Sequence, residues 1–325
     1  MPKSILMHEN GGPEKMQLED VEVGSPGPGQ VKIKHTAIGL NFIDVYTRSG
    51  LYQTPLPNAV GREAAGVIVE VGPKVRGFKK GDRVAYCGVL GAYCQERVMG
   101  VEQLVHVPKG VSDEQAAAMM LKGMTTEYLV DRTIKPWVKK GDTILFHAAA
   151  GGVGLLFGQW AKARGYNVIG TVSSPERAAL AKKHGYKWVI DYTKQNIVEE
   201  VMKITKNKKV PAVVDGVGKD TWEASLDCLQ PRGIMASFGN ASGPVSPQSI
   251  AILNAKGSLY LTRPSLGAYT ATRADLEKSA NALFKMVKSG KVKIAIDQRY
   301  PLAEAGQAHI DLESRKTTGQ TILVP

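Results

Sequence analysis

Two stretches of this 325-residue chain carry residue types at spacings that do chemistry. The first is Ala149-x-Gly151-Gly152-Val153-Gly154. It follows the apolar run Thr143 to His147 and leads into Leu155, Leu156, Phe157, Trp160 and Ala161 at helical spacing. Strand, glycine turn and helix together are the setting in which such a turn holds a dinucleotide. Gly151 lets the backbone approach a pyrophosphate, and Gly154 lets the helix pack close to the strand. The free N–H groups at the helix start receive the phosphate charge. Ala149 stands where the first glycine of the pattern would be. Without a ligand the same residues would make only a tight strand-to-helix turn.

The second stretch is Thr171-Val-Ser-Ser-Pro-Glu-Arg177, at the end of the next apolar run. An enzyme that uses NAD places Asp or Glu about 20 residues past the glycine turn, on the ribose 2′-hydroxyl. Ser173, Ser174 and Arg177 offer hydroxyls and a guanidinium instead, which receive a 2′-phosphate where a carboxylate would repel it. NADPH is therefore the expected cofactor. Glu176 sits at a helix start, where a carboxylate suits the helix dipole. His147, inside the apolar run, reads as a satisfied core histidine.

Both stretches need a parallel sheet beneath them, and the pattern supplies one. From about Gly123 strands and helices alternate, which marks parallel strands joined by crossover helices. Strands are expected over Thr143–His147, Asn167–Val172, Lys187–Asp191, Val210–Asp215, Gly233–Phe238 and Ser258–Thr262. Ser174-Pro175-Glu176 is a strong helix start, and Gly165 and Gly185 close two of the helices. Six strands make a full doubly wound Rossmann unit.

Up to about Lys122 the pattern is one of short strands broken by turn residues, with a small helix over Asn41–Ser49. After the alternation come two helices, over Arg273–Ser289 and Ala303–Ser314, and a last strand, Gln320–Val324. These read as returning to the first domain. The expected fold class is α/β, with a β-rich catalytic or substrate domain (1–122 and 264–325) and an inserted Rossmann domain (123–263).

Composition fits this reading. Hydrophobic residues make up 43% of the chain, enough for two cores. No apolar run approaches the roughly 18 residues of a membrane span, and the N-terminus lacks a signal-peptide core. Three cysteines make no disulfide framework, which points to a reducing cytoplasm. The net charge of +12 is spread along the chain rather than blocked, which favours an anionic cofactor over nucleic acid.

The chain resembles the zinc-free quinone oxidoreductases of the medium-chain dehydrogenase/reductase superfamily, the group of zeta-crystallin and the bacterial NADPH:quinone reductases. The resemblance covers essentially the whole chain. It is carried by Asn41-Phe-Ile-Asp-Val-Tyr46, Gly61-Arg-Glu-Ala-Ala-Gly66, Val71-Gly72 with Gly81-Asp-Arg-Val84, His147-Ala-Ala-Ala-Gly-Gly-Val-Gly154 and Lys256-Gly-Ser-Leu-Tyr-Leu-Thr-Arg-Pro264. It implies a GroES-like fold for the β-rich domain.

It also frames the question of zinc. Related zinc enzymes carry a cysteine in the stretch matching Gly39 to Asp44, where this chain has Leu40 and Asn41. They carry Gly-His-Glu where this chain has Gly61-Arg62-Glu63. Arginine offers no neutral nitrogen to a metal, and Cys87 and Cys94 lack a partner pair for a structural zinc. No metal is expected, and hydride goes directly from nicotinamide to an electrophilic acceptor.

The resemblance implies that Asn41, Phe42, Tyr46 and Tyr52 face the nicotinamide and substrate, with Asn41 donating to a quinone oxygen. Asn41 equally suits a helix cap. Arg263 is expected at the mouth of the cleft. Thr126, Val217, Phe238 and Gly239 complete the expected cofactor contacts, and Tyr192 lies against the adenosine phosphate. Catalytic roles are therefore expected of Asn41, Tyr46, Tyr52 and Arg263, and the expected substrate is a quinone. Two alternatives stand beside this. One is an alkenal or enone C=C reductase on the same scaffold. The other is an RNA-binding or structural crystallin-like role, which no aromatic RNA motif or basic block supports. The edge strand 257–262 is expected to pair with a second copy, giving a homodimer.

Overall fold

The computed structural model describes all residues, 1–325, and they divide into two compact units. One contains residues 1–124, 270–288 and 294–325; the other contains 125–269 and 289–293.

The first unit is built largely of strands. β1 (Lys3–Met7), β2 (Gln17–Asp20), β3 (Gln30–Leu40), helix α1 (Phe42–Arg48), β4 (Asn58–Ala59), β5 (Glu63–Val71), β6 (Arg83–Cys87), β7 (Glu96–Gly100) and β8 (Val105–His106) follow one another. Along β3 the residues Val31, Ile33 and His35 alternate inward, the period of a half-buried strand. β1, β2 and β4 make a small sheet. Ile5, Met7, Ile33, Ile38, Ile68, Tyr86 and Tyr93 belong to one buried core.

α2 (Asp113–Tyr128) is a full helix of 16 residues, where only short helical pieces were expected. Its start was legible. Ser112 Oγ accepts the Gln115 N–H at 3.1 Å while Gln115 Oε1 accepts the Ser112 N–H at 3.0 Å. Ser-x-x-Gln is a capping box, and the apolar run behind it is helical rather than extended.

The second unit holds the alternation. Its elements are β9 (Thr143–Phe146), α3 (Gly152–Ala163), β10 (Asn167–Val172), α4 (Pro175–Lys183), β11 (Trp188–Asp191), α5 (Ile197–Thr205), β12 (Val210–Asp215), α6 (Trp222–Asp227), β13 (Leu229–Ser237), α7 (Ala251–Ala255), β14 (Tyr260–Thr262) and α8 (Leu266–Tyr269). The six strands are all parallel, in the order β11-β10-β9-β12-β13-β14. This is the doubly wound arrangement, with order reversing beside β9. β14 is the edge strand expected from the sequence, three residues long, with Tyr260 53% and Leu261 42% exposed. Tyr269 stays with this unit because its ring stacks on Tyr128 at 4.4 Å.

The tail completes the first unit with α9 (Arg273–Lys288), β15 (Ile296–Pro301), α10 (Ala305–Glu313) and β16 (Gln320–Val324). β16 pairs antiparallel with β3, so the chain end returns to the β-rich sheet. β15 has no counterpart among the expected strands. Its alternation of half-buried with exposed polar residues gives no apolar stripe to read.

Candidate active site

In the parallel-sheet unit, the glycine turn forms at the end of β9. Ala148 adopts a left-handed φ of 60°, and the Ala149 N–H reaches the Thr171 carbonyl at 3.0 Å on the neighbouring strand. The chain then enters α3 with Gly151 as its N-cap. The N-cap is a glycine, so no side chain at that position caps the helix start.

The glycines differ in what they permit. A Cβ on Gly154 would lie 2.5 Å from the Ala148 carbonyl oxygen and 2.6 Å from that of Ala149. Gly154 is thus required for helix and strand to touch. A Cβ on Gly151 would meet only the Ala148 carbonyl, at 3.3 Å. Beyond its chain neighbours, no other atom lies within 4 Å of that Cβ position. Gly152 and Val153 are half-buried beside it, and Ala149 is buried.

Beneath the turn lies a polar chain. Ser225 Oγ donates to Asp215 Oδ2 at 2.8 Å and lies 3.0 Å from His147 Nε2. Since the serine proton goes to the carboxylate, the His147 Nε2–H donates to Ser225. Its Nδ1 then accepts from the Thr171 hydroxyl at 3.1 Å. His147 is fully buried, and burial lowers its pKa. It is the satisfied core histidine expected from the sequence. Asp215 Oδ1 accepts the N–H groups of Val217 and Gly218, at 2.7 and 3.1 Å. This carboxylate fixes the loop carrying Val217, and sequence reasoning missed it. The signal was an acid ending an apolar strand directly before Gly216-Val-Gly218.

On the next loop, Phe238 packs 6.0 Å from Phe146, and its N–H donates to the Asp215 carbonyl at 2.8 Å. A Cβ on Gly239 would collide with the Gly216 carbonyl, so both glycines are needed where the two loops meet. Arg263 reaches this loop through Nη1, which donates to the Ser237 and Gly239 carbonyls at 3.1 and 2.8 Å. The structure thus makes it a brace for the Gly239 loop.

Ser173, Ser174 and Arg177 follow β10, and Tyr192 follows β11, where its N–H donates to the Val172 carbonyl at 3.1 Å. Ser174 is the N-cap of α4, and its Oγ accepts the Arg177 N–H at 3.3 Å. The same hydroxyl holds the exposed Glu176 carboxyl below its usual range. Ser173 and Arg177 are half-buried, and Tyr192 is exposed. Thr126 is buried on α2, within this unit.

In the β-rich unit the candidate residues cluster at the end of β3. Asn41 is the N-cap of α1, and its N–H donates to Asp44 Oδ2 at 2.9 Å. Phe42, Tyr46 and Tyr52 form an aromatic group, with ring centroids 5.5 Å and 5.3 Å apart in succession. Asn41 is only 2% exposed, and its Nδ2 donates to Glu63 Oε2 at 2.7 Å. Glu63 is fully buried. Desolvation pushes its carboxyl up and Lys122 works against that. Asp44 is pushed up to about 7 by burial, opposed by hydrogen bonds from the Asn41 N–H and the Tyr93 hydroxyl.

Arg62 stands where related enzymes carry a zinc ligand. It makes long hydrogen bonds, 3.4 Å each, to the Gly88 carbonyl and the Thr47 hydroxyl. The chain has no group of three or more His, Cys, Asp or Glu side chains able to hold a metal. Cys87, Cys94 and Cys228 are all buried free thiols, and burial pushes Cys94 up to about 12.

Comparison with known proteins places these features in a family. Residues 27–142 match the alcohol dehydrogenase GroES-like domain, and residues 152–285 match the family described as zinc-binding dehydrogenase. The quinone oxidoreductase of Pseudomonas aeruginosa is 53% identical, with 100% of both chains covered. The crystal structure of Escherichia coli quinone oxidoreductase complexed with NADPH superposes with a TM-score of 0.97 at 47% identity, covering 99% of this chain and 100% of the other. A 2-haloacrylate reductase from Burkholderia is 45% identical over 100% of this chain and 99% of its own.

Proposed function

The chain belongs to the quinone oxidoreductases of the medium-chain dehydrogenase/reductase superfamily, NADPH-dependent oxidoreductases, and we propose that it delivers hydride directly to a quinone with no metal. The observation that carries this reading is the glycine turn at Gly151–Gly154 between β9 and α3, with Ser173, Ser174 and Arg177 rather than an acid past the next strand. These residues fit the cofactor. The α3 N-terminus would hold the diphosphate, and the serine–arginine group would hold the 2′-phosphate. When bound there, NADPH supplies the hydride.

The chain's own work is then to position and polarise. The network from Thr171 through His147 and Ser225 to Asp215 sets the Val217 loop. Arg263 sets the Gly239 loop. Phe42, Tyr46 and Tyr52 offer flat apolar faces and two hydroxyls to a ring-shaped acceptor. An oxidised quinone is already electrophilic, so the reaction needs no ion to polarise an alkoxide. Arg62 and Asn41, in the positions of zinc ligands, support the metal-free reading.

A second acceptor class, an activated C=C bond, is supported by the likeness to 2-haloacrylate reductase. One assay separates the two. Protein dialysed against a strong chelator, given NADPH, should reduce p-benzoquinone with higher kcat/KM than 2-chloroacrylate or an enone. The reverse order would assign it to C=C reduction, and loss of activity restored by zinc would overturn the metal-free mechanism.

The protein is further proposed to act in the cytoplasm as a homodimer. No helix is long and apolar enough to cross a membrane. β14 leaves a sheet edge with Tyr260 and Leu261 uncovered, and such edges invite pairing. Tyr260→Pro removes a ladder donor and should convert a dimer to monomers in light scattering. A monomeric unmodified protein at micromolar concentration, or a dimer indifferent to the proline, would rule this edge out.

A further inference from the structure

We propose that the end of the parallel sheet where its strands begin is a basic face that docks on an anionic phospholipid bilayer, a peripheral contact made without any membrane-spanning helix. The inference concerns where the protein sits, and it holds whichever acceptor the protein reduces.

In the sequence the cations are spread out, but the fold gathers them. All six strands are parallel and joined by crossover helices, so each loop that feeds a strand arrives at the same end of the sheet. Lys139 and Lys140 lead into β9. Lys182 and Lys183 end α4, and Lys187 precedes β11. Lys206, Lys208 and Lys209 join α5 to β12. All of these but the half-buried Lys209 are exposed. Hydrogen bonds tie the loops side by side: the Gly141 N–H donates to the Gly165 carbonyl at 2.8 Å, and the Lys187 N–H to the Val168 carbonyl at 3.0 Å. The acids nearby are already engaged. Asp142 accepts the Lys139 N–H, Glu200 pairs with Lys203, and Asp227 pairs with Lys256. At the opposite end, past the strands, the signs are mixed: Glu176 precedes Arg177, and Lys219 precedes Asp220.

Helix dipoles account for part of this, because cations suit helix C-termini. They do not account for the loop between α5 and β12. Lys206, Asn207 and Lys209 hold left-handed φ angles of 52°, 63° and 60°, where glycine is favoured and a lysine costs energy. The loop keeps lysines where glycine would fold more easily, and strain of that kind marks side chains that are used.

The layout fits lipid better than nucleic acid. Headgroups present their charge as a plane, and separate lysines near that plane each add to the attraction. A single nucleic-acid strand instead calls for a groove with rings on which bases stack. The rings at this end do not serve that purpose. Tyr186 is buried and Tyr166 half-buried, Lys187 Nζ lies 4.5 Å over the Trp188 ring, and Trp137 packs edge-on against Tyr260 at 5.3 Å.

The test is co-sedimentation of the full chain with phosphatidylcholine vesicles, with and without phosphatidylglycerol. The protein should bind only the mixed vesicles, and salt at about 0.5 M should release it. Lys206→Gln, Lys208→Gln and Lys209→Gln together should lower the partition coefficient about a hundredfold, at about fivefold for each lysine near the surface. Lys74→Gln, Arg76→Gln and Lys80→Gln remove as many exposed charges from the β-rich unit and should leave it nearly unchanged. Turnover of NADPH with a water-soluble quinone should be unaltered in the triple-lysine variant, since its residues stand at the far end of the strands from the glycine turn. That activity also shows that the variant folds. No binding to the mixed vesicles would overturn the proposal, as would an unchanged partition coefficient in the triple-lysine variant. Equal weakening by both variants would overturn it too, making net charge rather than this face the cause. Retention of a single-stranded RNA at the same salt, with the vesicles left unbound, would assign the face to nucleic acid instead.

Discussion

The glycine turn after β9 and the Asn41 cluster after β3 both sit where a strand hands over to a helix, yet they are built from different materials. The turn is made of backbone. Its shape comes from a left-handed Ala148, from the missing Cβ of Gly154 and from a glycine N-cap. The Asn41 cluster is made of side chains. A buried amide, two buried carboxylates, a buried lysine and a tyrosine hydroxyl set one another's positions across residues far apart in sequence. A backbone device tolerates no added atom but is indifferent to pH. A buried polar device tolerates small changes of volume but depends on every proton in it.

Gly154→Ala breaks the first device most severely. The new Cβ would stand 2.5 Å from the Ala148 carbonyl oxygen, so helix and strand must separate. Thermal unfolding should register a loss of about 1–3 kcal/mol, and NADPH binding should fall by more than an order of magnitude. Undiminished NADPH affinity in that variant would mean that the turn is not the phosphate cradle.

The difference in material also decides what could be read in advance. The six strands of the parallel sheet were legible because apolar runs and helix caps alternate at short range, and Ser174-Pro175 announces α4 outright. The return of the tail was legible because Arg273–Ser289 and Ala303–Ser314 do not continue that alternation. α2 was missed although its Ser112–Gln115 capping box is written in the sequence. β15 was missed because it carries no apolar stripe. The hydrogen bond from Asn41 to Glu63 spans 22 residues, and that from Tyr93 to Asp44 spans 49. Nothing local marks either pair, so the residues could be named but their mutual orientation could not. Asp215 falls between the two cases, since an acid before Gly-Val-Gly was visible and its bonds to Val217 and Gly218 were not.

The smallest effect tests the other half of the contrast, the pH sensitivity of the β-rich unit. Burial lowers His35 from 6.5 to about 4. Its Nδ1–H donates to the Cys94 carbonyl at 2.7 Å and its Nε2 accepts from Tyr86 at 3.1 Å, so the neutral ring is fully used. The folded protein then binds fewer protons than the unfolded chain across that interval. Stability from this group is complete above about pH 6.5 and is lost as pH falls toward 4. Asp44, raised to about 7, works in the opposite sense, and it cancels when two proteins that both retain it are compared. The difference in melting temperature between pH 7.5 and pH 5 should therefore be smaller in His35→Gln than in the unmodified protein. An equal difference would show that His35 does not carry the acid sensitivity of this unit.

The account rests finally on the serine–arginine group receiving a 2′-phosphate, and one measurement addresses it directly: kcat/KM for NADPH against NADH, with a quinone as acceptor, in the unmodified protein and in Arg177→Ala. The unmodified protein should prefer NADPH strongly. Removing one charge-assisted contact of about 1.5–3 kcal/mol should cut the value for NADPH by one to two orders of magnitude and leave the value for NADH nearly untouched. Equal use of the two cofactors by the unmodified protein, or an Arg177→Ala variant that loses both alike, would contradict it.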